Sequence, residues 1–459
     1  MRDVFEALVE IVGKDYVSNQ AEERYFYGRD PGLMPPHEPD YVVMPKTTEE
    51  VQEIVKLANR EKVPVVPKGA GLSLTGLVIP QRGGILLDMK RMDGIEVNEK
   101  AGYVIVEGGT THAALKSHLI KHYPHLRHSI PDSPPVATIV ANAVIHGQGR
   151  LTQQRGFNSD MVSGLEVVLG TGEICRIGSC AVSSYWFSKG PPLPDLSGLF
   201  LGWFGSTGVI TKLGMKLYPC KKIRDVMLFL TDKAELVPEV IRKLAHTEMA
   251  EDIVVTAQPI PLRFKGNFYI LVFITGDSEE EIEFKKKMAW DALWEYFESR
   301  DGGFVSVTPD MKPAFLAMPS KDTTRFADVS KGGGFEYSGP IAPIEKFPEY
   351  LKKLEELASK YNLFYSSAAR VIDGAHSMMF SFSYTFNRAN PDEMNRAKTA
   401  LDEAAEFALE EGGVIWKPNI NEQKMVMGRM DPNTLNLMKK IKQLLDTNGI
   451  MNPGNWEAK

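Results

Sequence analysis

Three glycine-rich stretches carry residue types that could line a ligand, and the first has the composition of a phosphate site. Val63 to Gly76 reads VPVVPKGAGLSLTG. A valine-rich run ends at Pro67; Lys68, Gly69, Ala70, Gly71, Leu72 and Ser73 follow, and Gly76 closes the loop. Glycine lets backbone N–H groups turn toward one point, and successive inward N–H groups form an anion-binding nest. The Ser73 and Thr75 hydroxyls add donors, and the stretch holds no acidic side chain. The same composition serves a plain turn between strands, so the neighbours decide. Residues 128 to 149, HSIPDSPPVATIVANAVIHGQG, are broken by prolines and end in Gly147 and Gly149. That pattern is poor for helix or strand and suits an irregular, ligand-lining segment. Gly202, Gly205 and Gly208 punctuate an apolar run in GLFLGWFGSTGVIT, where a ligand edge or tight packing would each use them. No lysine follows Gly76, so this is not a Walker loop, and no Rossmann fingerprint surrounds it.

Other side chains leave alternatives open. His112, His118, His122, His125 and His128 crowd one stretch, and His118 and His122 stand i,i+4 on one helix face. No acid or cysteine joins them, so a solvated face competes with a metal pair. Arg370, Arg325 and Arg429 could each clamp an anionic substrate or close a structural ion pair. In SFSYTF, Phe382, Tyr384 and Phe386 alternate, which suits a sheet core or a cofactor pocket.

The elements that must position these residues are readable. TTEEVQEIVKLANR predicts a helix over 47–60 with Thr48 as N-cap and Val51, Ile54, Val55 and Ala58 on one face. Strands are expected at VPVVP, GGILLDM, YVIVE and 209–217, and a helix over 111–120. LEVVL and Ile174 to Ile177 form a hairpin across Gly170-Thr171-Gly172. After Cys220 the character changes. Strands such as VMLFL and FYILVFITG alternate with long helices over 279–300, 344–360 and 391–411, and a last helix covers 432–445. This is an α+β chain whose second part is an antiparallel sheet backed by helices.

Composition bounds the function. At 459 residues the chain exceeds one core. A net charge of −6 argues against a nucleic-acid partner. Cys175, Cys180 and Cys220 have neither disulfide-framework nor iron–sulfur spacing and fit a reducing, cytoplasmic setting. No apolar run reaches about 18 residues, so no membrane span is expected, and the amphipathic start lacks signal-peptide features.

The clusters, in this order, resemble the FAD-linked oxidase superfamily named for vanillyl-alcohol oxidase and p-cresol methylhydroxylase. The resemblance runs through PKTTEEVQEIVKLANREKVPVVPKGAG, VEGGTTHAAL, SGLEVVLGTGEICRIG, LFLGWFGSTGVITKLGMKLYP and LLDTNGIMNPGNW, nearly the full length. It implies FAD as cofactor and a p-cresol-methylhydroxylase-type FAD-binding domain in two α+β subdomains over 1–220. An antiparallel cap over 221–425 and a return to the FAD domain over 426–459 would complete it. The Lys68 to Thr75 loop would wrap the pyrophosphate. Ser133, Val136, Ala137, Thr138, Ala141, Asn142, Gly147 and Gly149 would line the ribityl chain and flavin ring. Gly205, Gly208, Val209 and Ile210 would meet the adenine and ribose end, and Asn452 would lie near the flavin.

Two branches of the family compete for the substrate. The D-lactate and glycolate dehydrogenases carry GDGNLH and SGEHGIG motifs that bind a metal. Here the stretches read VIDGAHSMMF, where His376 preserves part of the first, and GGVIWKPNINEQ, where Trp416-Lys417 replaces the Glu-His pair. No metal set is therefore expected. The branch that oxidises para-substituted phenols matches at Pro131-Asp132, at Asn142 to Val144, at Gly147, Gly149 and Gly156, and at Ser163 to Gly178. By that resemblance Asp132 sits near flavin N5 as an acid/base. Lys417, with Trp416, faces the developing phenolate, and Arg370 and His376 complete the candidates. The expected activity is transfer of a hydride from a para-substituted phenol to flavin N5. Electrons would then pass to a cytochrome, an iron–sulfur protein or an electron-transferring flavoprotein, in a homodimer or hetero-complex. A D-2-hydroxy-acid dehydrogenase and a flavin relay subunit without its own substrate site are the alternatives.

Overall fold

A computed structural model describes residues 3–257, 268–316 and 332–457. Arg325 lies outside the described residues. The chain is α+β, with three main sheets and the helices that cover them.

The first sheet has four strands in the order Val17–Ser18, Tyr41–Val43, Ile85–Asp88, Val65–Lys68. Helix Thr48–Glu61 lays Val51, Ile54, Val55 and Ala58 onto it, all fully buried. Thr47, not Thr48, caps this helix: its side chain accepts from Glu50 N. Thr48 instead turns inward and donates to Glu166 Oε1 at 2.9 Å, tying the helix to the next sheet. A threonine one residue inside a helix start can do either, and the buried Glu166 decides.

The second sheet has five strands in the order Ile95–Asn98, Tyr103–Glu107, Gly208–Lys216, Val162–Leu169, Ile174–Ile177. The hairpin and the strands expected from the sequence are present. The proline-broken segment departs from expectation in part, since Ile139–Val144 forms a short helix. Its small residues let it settle against the strands Tyr103–Glu107 and Gly208–Lys216.

The third sheet spans Ile223 to Trp416. Its strands Ala250–Ala257, Phe364–Ile372, Ser377–Phe380, Gly333–Ala342 and Phe382–Asn387 are neighbours in that order. One face packs under helices Val237–His246, Glu279–Glu298, Phe347–Tyr361 and Pro391–Glu410. Because strand side chains alternate, Phe380, Phe382 and Tyr384 fall on that covered face and are fully buried. Tyr384 is therefore core.

After helix Pro432–Leu445 the chain returns to the first sheet. Val65 pairs in parallel with Met451. Asn452 takes Val65 O through its backbone N–H at 2.8 Å, and its Nδ2 donates to Leu77 O and Phe204 O at 2.9 and 2.5 Å. One buried carboxamide thus ties together the ends of two glycine-rich stretches.

Candidate active site and cofactor cleft

One continuous cavity runs between the two N-terminal sheets and the third sheet. Pro67, Lys68, Gly69, Ala70, Gly71, Leu72 and Ser73 line it. Ala70, Gly71, Leu72 and Ser73 donate no backbone N–H to any described residue, as a nest open to an anion requires. Gly71 has φ +68°, and a Cβ there would stand 2.5 Å from Lys68 Cε. Lys68 is buried, and burial pushes its ammonium below the ordinary lysine range although Asp88 and Asp30 act the other way. Among the described residues its Nζ has only a 3.4 Å contact with Tyr27 O and the Tyr27 ring 5.0 Å away. A buried cation so sparsely paired is poised for an anion. Gly76 stands outside the cavity: its N–H donates to Asp30 Oδ2 at 2.7 Å. The acid missing from the loop arrives from elsewhere in the chain and takes that end of it.

Pro131, Asp132, Ser133, Ala137, Thr138, Ala141 and Asn142 form the next wall. Val136, Gly147 and Gly149 do not line it. Val136 is 57% exposed. Gly147 is pressed against Asn142, where a Cβ would stand 2.1 Å from Nδ2. Gly149 pairs with Pro131 and offers its carbonyl to Arg370. Gly205, Gly208, Val209 and Ile210 line the far end, and a Cβ on Gly205 would meet Pro67 Cγ at 2.5 Å. Asn452 stays behind the wall as the clamp described above.

The third sheet supplies the opposite side, through the face its helices leave uncovered. Alternation delivers Val254 and Thr256, Ala368 and Arg370, Ser381 and Ser383, and Phe335 and Tyr337 in pairs. Arg370 is cross-strand from Val254, which puts Asp252 on the same face. The buried Arg370 guanidinium donates through Nη1 to Asp252 Oδ2 at 2.6 Å and to Gly149 O at 3.0 Å, and through Nη2 to Asp132 Oδ2. Burial alone would lower the Arg370 pKa, yet Asp132 and Asp252 together hold it above the usual range. Burial pushes the Asp252 carboxyl up to about 7 against the pull of Arg370. Asp132, with a side chain 46% exposed, is the member of this chain of charges that meets the cavity.

Trp416 and Lys417 also line the cavity. Trp416 Nε1 donates to Ile145 O at 2.6 Å and His146 O at 3.0 Å. Lys417 Nζ donates to Ser73 O at 2.6 Å and lies 4.7 Å from the Tyr337 ring centroid. Two consecutive residues therefore join the third sheet to both glycine-rich walls. Lys417 has φ +45° immediately before Pro418, a strained position of the kind that clusters at working sites. His376 lies apart, in a surface hollow with Arg242, His246 and Glu345. Arg429 pairs with Glu406 on the surface.

Sequence reasoning missed the lining from the third sheet: Phe335, Tyr337, Thr256, Ser366, Ser381 and Ser383, and the buried partner Asp252. The signal was present in SFSYTF. Its aromatics mark the covered face, so its serines mark the face turned to the cavity. Gln148, between the two glycines, was also missed.

The residues fit an FAD: an open nest beside a buried lysine for the diphosphate, with Pro131 to Ser133 and Ala137 to Asn142 along the next wall. Ser133, Thr138 and Gln148 are among the lining residues, and their buried side-chain polar atoms have no partner among the described residues. The comparisons with known proteins agree. An FAD binding domain matches residues 39–178, and the C-terminal domain of FAD linked oxidases matches 230–456. Glycolate oxidase subunit GlcD of Bacillus subtilis is 26% identical, over 100% of this chain and 97% of its own. The 4-cresol dehydrogenase [hydroxylating] flavoprotein subunit of Pseudomonas putida is 24% identical, over 97% and 93%. The crystal structure of p-cresol methylhydroxylase with substrate bound superposes with a TM-score of 0.87 at 21% identity, over 99% of this chain and 96% of that one. Cleft, matched domains and architecture together place the chain in the FAD-linked oxidase superfamily, as an FAD-dependent oxidoreductase.

Proposed function

We propose that this oxidoreductase acts on a small para-substituted phenol and hands the electrons to an acceptor protein. The observation that carries the reading is the shared cavity of Lys417, Tyr337, Trp416 and the Asp132–Arg370 pair. Bound FAD supplies the two-electron oxidant. The chain's residues supply the rest. Lys417 presents a positive charge among aromatic rings, where a phenolate oxygen is stabilised. Asp132 takes or returns a proton, and Arg370 holds its carboxylate in place. Lys68 and the loop from Ala70 to Ser73 hold the diphosphate, and Thr138 and Asn142 border the chain toward the ring. The names of two relatives, a glycolate oxidase subunit and a cresol-dehydrogenase flavoprotein subunit, support work within an assembly.

A 2-hydroxy acid is the second reading, favoured by the glycolate oxidase relative and by an arginine in the cavity. Against it, the Arg370 guanidinium already serves Asp132, Asp252 and Gly149 O. Among the described residues no three His, Cys, Asp or Glu side chains converge as a metal set. The aromatic and cationic lining of Tyr337, Trp416 and Lys417 supports a substrate site over a relay subunit.

The test is turnover of 4-alkylphenols, D-lactate and glycolate with an artificial acceptor. Phenols are expected to react, and Lys417→Met to lose about 10²–10³ in kcat/KM while the flavin stays bound. Strong activity on 2-hydroxy acids, abolished by a chelator, would overturn the proposal.

A further inference from the structure

We infer that the third sheet positions the glycine-rich diphosphate loop through a strap over residues 30–34, pinned by Glu336. Glu336 is buried in strand Gly333–Ala342. Its Oε2 accepts from the Leu33 backbone N–H. Leu33 itself packs against the apolar cluster that holds Phe382 and Tyr384. Arg388, just past strand Phe382–Asn387, donates through Nη2 to Pro31 O and through Nε to Gly333 O at 3.4 Å. The sheet thus grips the strap at Pro31 and at Leu33.

The strap in turn holds the loop. Asp30 Oδ1 accepts from Gly32 N–H at 2.9 Å, and Asp30 Oδ2 accepts from Gly76 N–H at 2.7 Å. One carboxylate therefore folds the strap and fixes the end of the loop. Gly32 abuts Leu74, since a Cβ there would stand 1.7 Å from Leu74 O. Leu72, Ser73 and Leu74 line the cavity and residues 30–34 do not, so the strap backs the loop without lining the cavity. A loop rich in glycine is costly to order, and one already held in place binds its ligand at a lower entropic cost. This inference rests on the reading that Lys68 and Ala70 to Ser73 hold the FAD diphosphate, and is independent of the substrate proposed above.

The experiment titrates apoprotein with FAD, ADP and riboflavin. Glu336→Met removes the acceptor for Leu33 N–H, and Glu336→Gln keeps one. Burial, with Asp30 and Glu422 adding and Leu33 N–H and Lys417 opposing, pushes the Glu336 carboxyl up to about 8, so at pH 7 glutamine is a close mimic of it. Arg388→Ala removes the exposed anchor, and Lys68→Met reports on the loop itself. Glu336→Met and Arg388→Ala are expected to weaken FAD and ADP by about three- to tenfold, the worth of one hydrogen bond. Riboflavin, which has no diphosphate, should bind as before, and Glu336→Gln should match the parent. Wild-type ADP affinity in Glu336→Met or, where that variant does not fold, in Arg388→Ala would overturn the inference alone, provided that Lys68→Met is weakened. Unchanged ADP binding in Lys68→Met would remove the diphosphate reading and the inference with it. Equal loss for riboflavin, or a loss in Glu336→Gln as large as in Glu336→Met, would mark a general effect on the fold and overturn the inference.

Discussion

Arg370 shows how one residue can serve stability and chemistry together. It is buried, and two carboxylates and a carbonyl share its guanidinium. Removing one partner of a buried pair leaves an uncompensated charge, at a cost of about 3–5 kcal/mol. Most of that belongs to Asp252, which is fully buried; Asp132 is half-exposed and solvent screens its share. Arg370→Met is thus expected to lose about 3–5 kcal/mol in urea denaturation, and adding Asp252→Leu to recover most of it. A double variant no more stable than the single one would mean that the cost lies in packing. Asp132→Asn keeps the shape and one acceptor. It is expected to lower kcat by about 10²–10⁴ with flavin binding intact.

At the scale of elements, the segment over 131–138 rests on the start of helix His112–His122. His112 N–H donates to Ala137 O at 3.0 Å and Ala113 N–H to Pro135 O at 2.9 Å. Beneath lies a stacked pair, His112 Nδ1 3.2 Å from His128 Nε2 with ring centroids 5.3 Å apart. Burial holds His128 down to about 3, with Arg150 and Lys116 adding to the effect, and holds His112 well below its ordinary value, with His128 adding. Both are neutral in the fold. In the unfolded chain they titrate near 6.5. Between about pH 6.5 and 3 the unfolded state therefore binds protons that the fold refuses, and stability falls on acidification by up to about 1.4 kcal/mol per pH unit for each histidine. Urea midpoints at pH 7 and pH 5 test this: His128→Gln should show a shallower loss than the parent, and an identical slope would remove the pair as its source. The half-buried His118 and the exposed His122, with ring centroids 4.9 Å apart, stand i,i+4 on one helix. Helical spacing reports a shared face and says nothing of what covers it.

For the whole molecule, the cavity that would hold the cofactor lies where three sheets meet, so FAD would bind the folded arrangement and not its parts. A ligand at 100 times its Kd stabilises the fold by about 2.7 kcal/mol; FAD at that level should raise the Tm of apoprotein measurably. Asn452→Ala should reduce that gain, because Leu77 and Phe204 lose the carboxamide that holds their carbonyls together. An unchanged FAD-dependent Tm shift in Asn452→Ala would show that the loops hold each other without it.

Local pattern determined a great deal. The glycine-rich stretches carried the cofactor class, and hydrophobic periodicity carried helices such as Pro432–Leu445 and strands such as Phe268–Gly276. These follow from neighbours a few residues apart, where backbone freedom and side-chain period act directly. Tertiary structure decided what each polar residue faces. It brought Asp30 to Gly76 across 46 residues, set Asp252 beside Arg370, and placed Trp416 and Lys417 against residues about 270 and 344 positions earlier. Alternation in SFSYTF separates the serines from the aromatics, and the helices packed on the aromatic face left the serines to the cavity. The reason is physical: a strand's period defines two faces, and only the helices packed on one of them determine which face is left for chemistry.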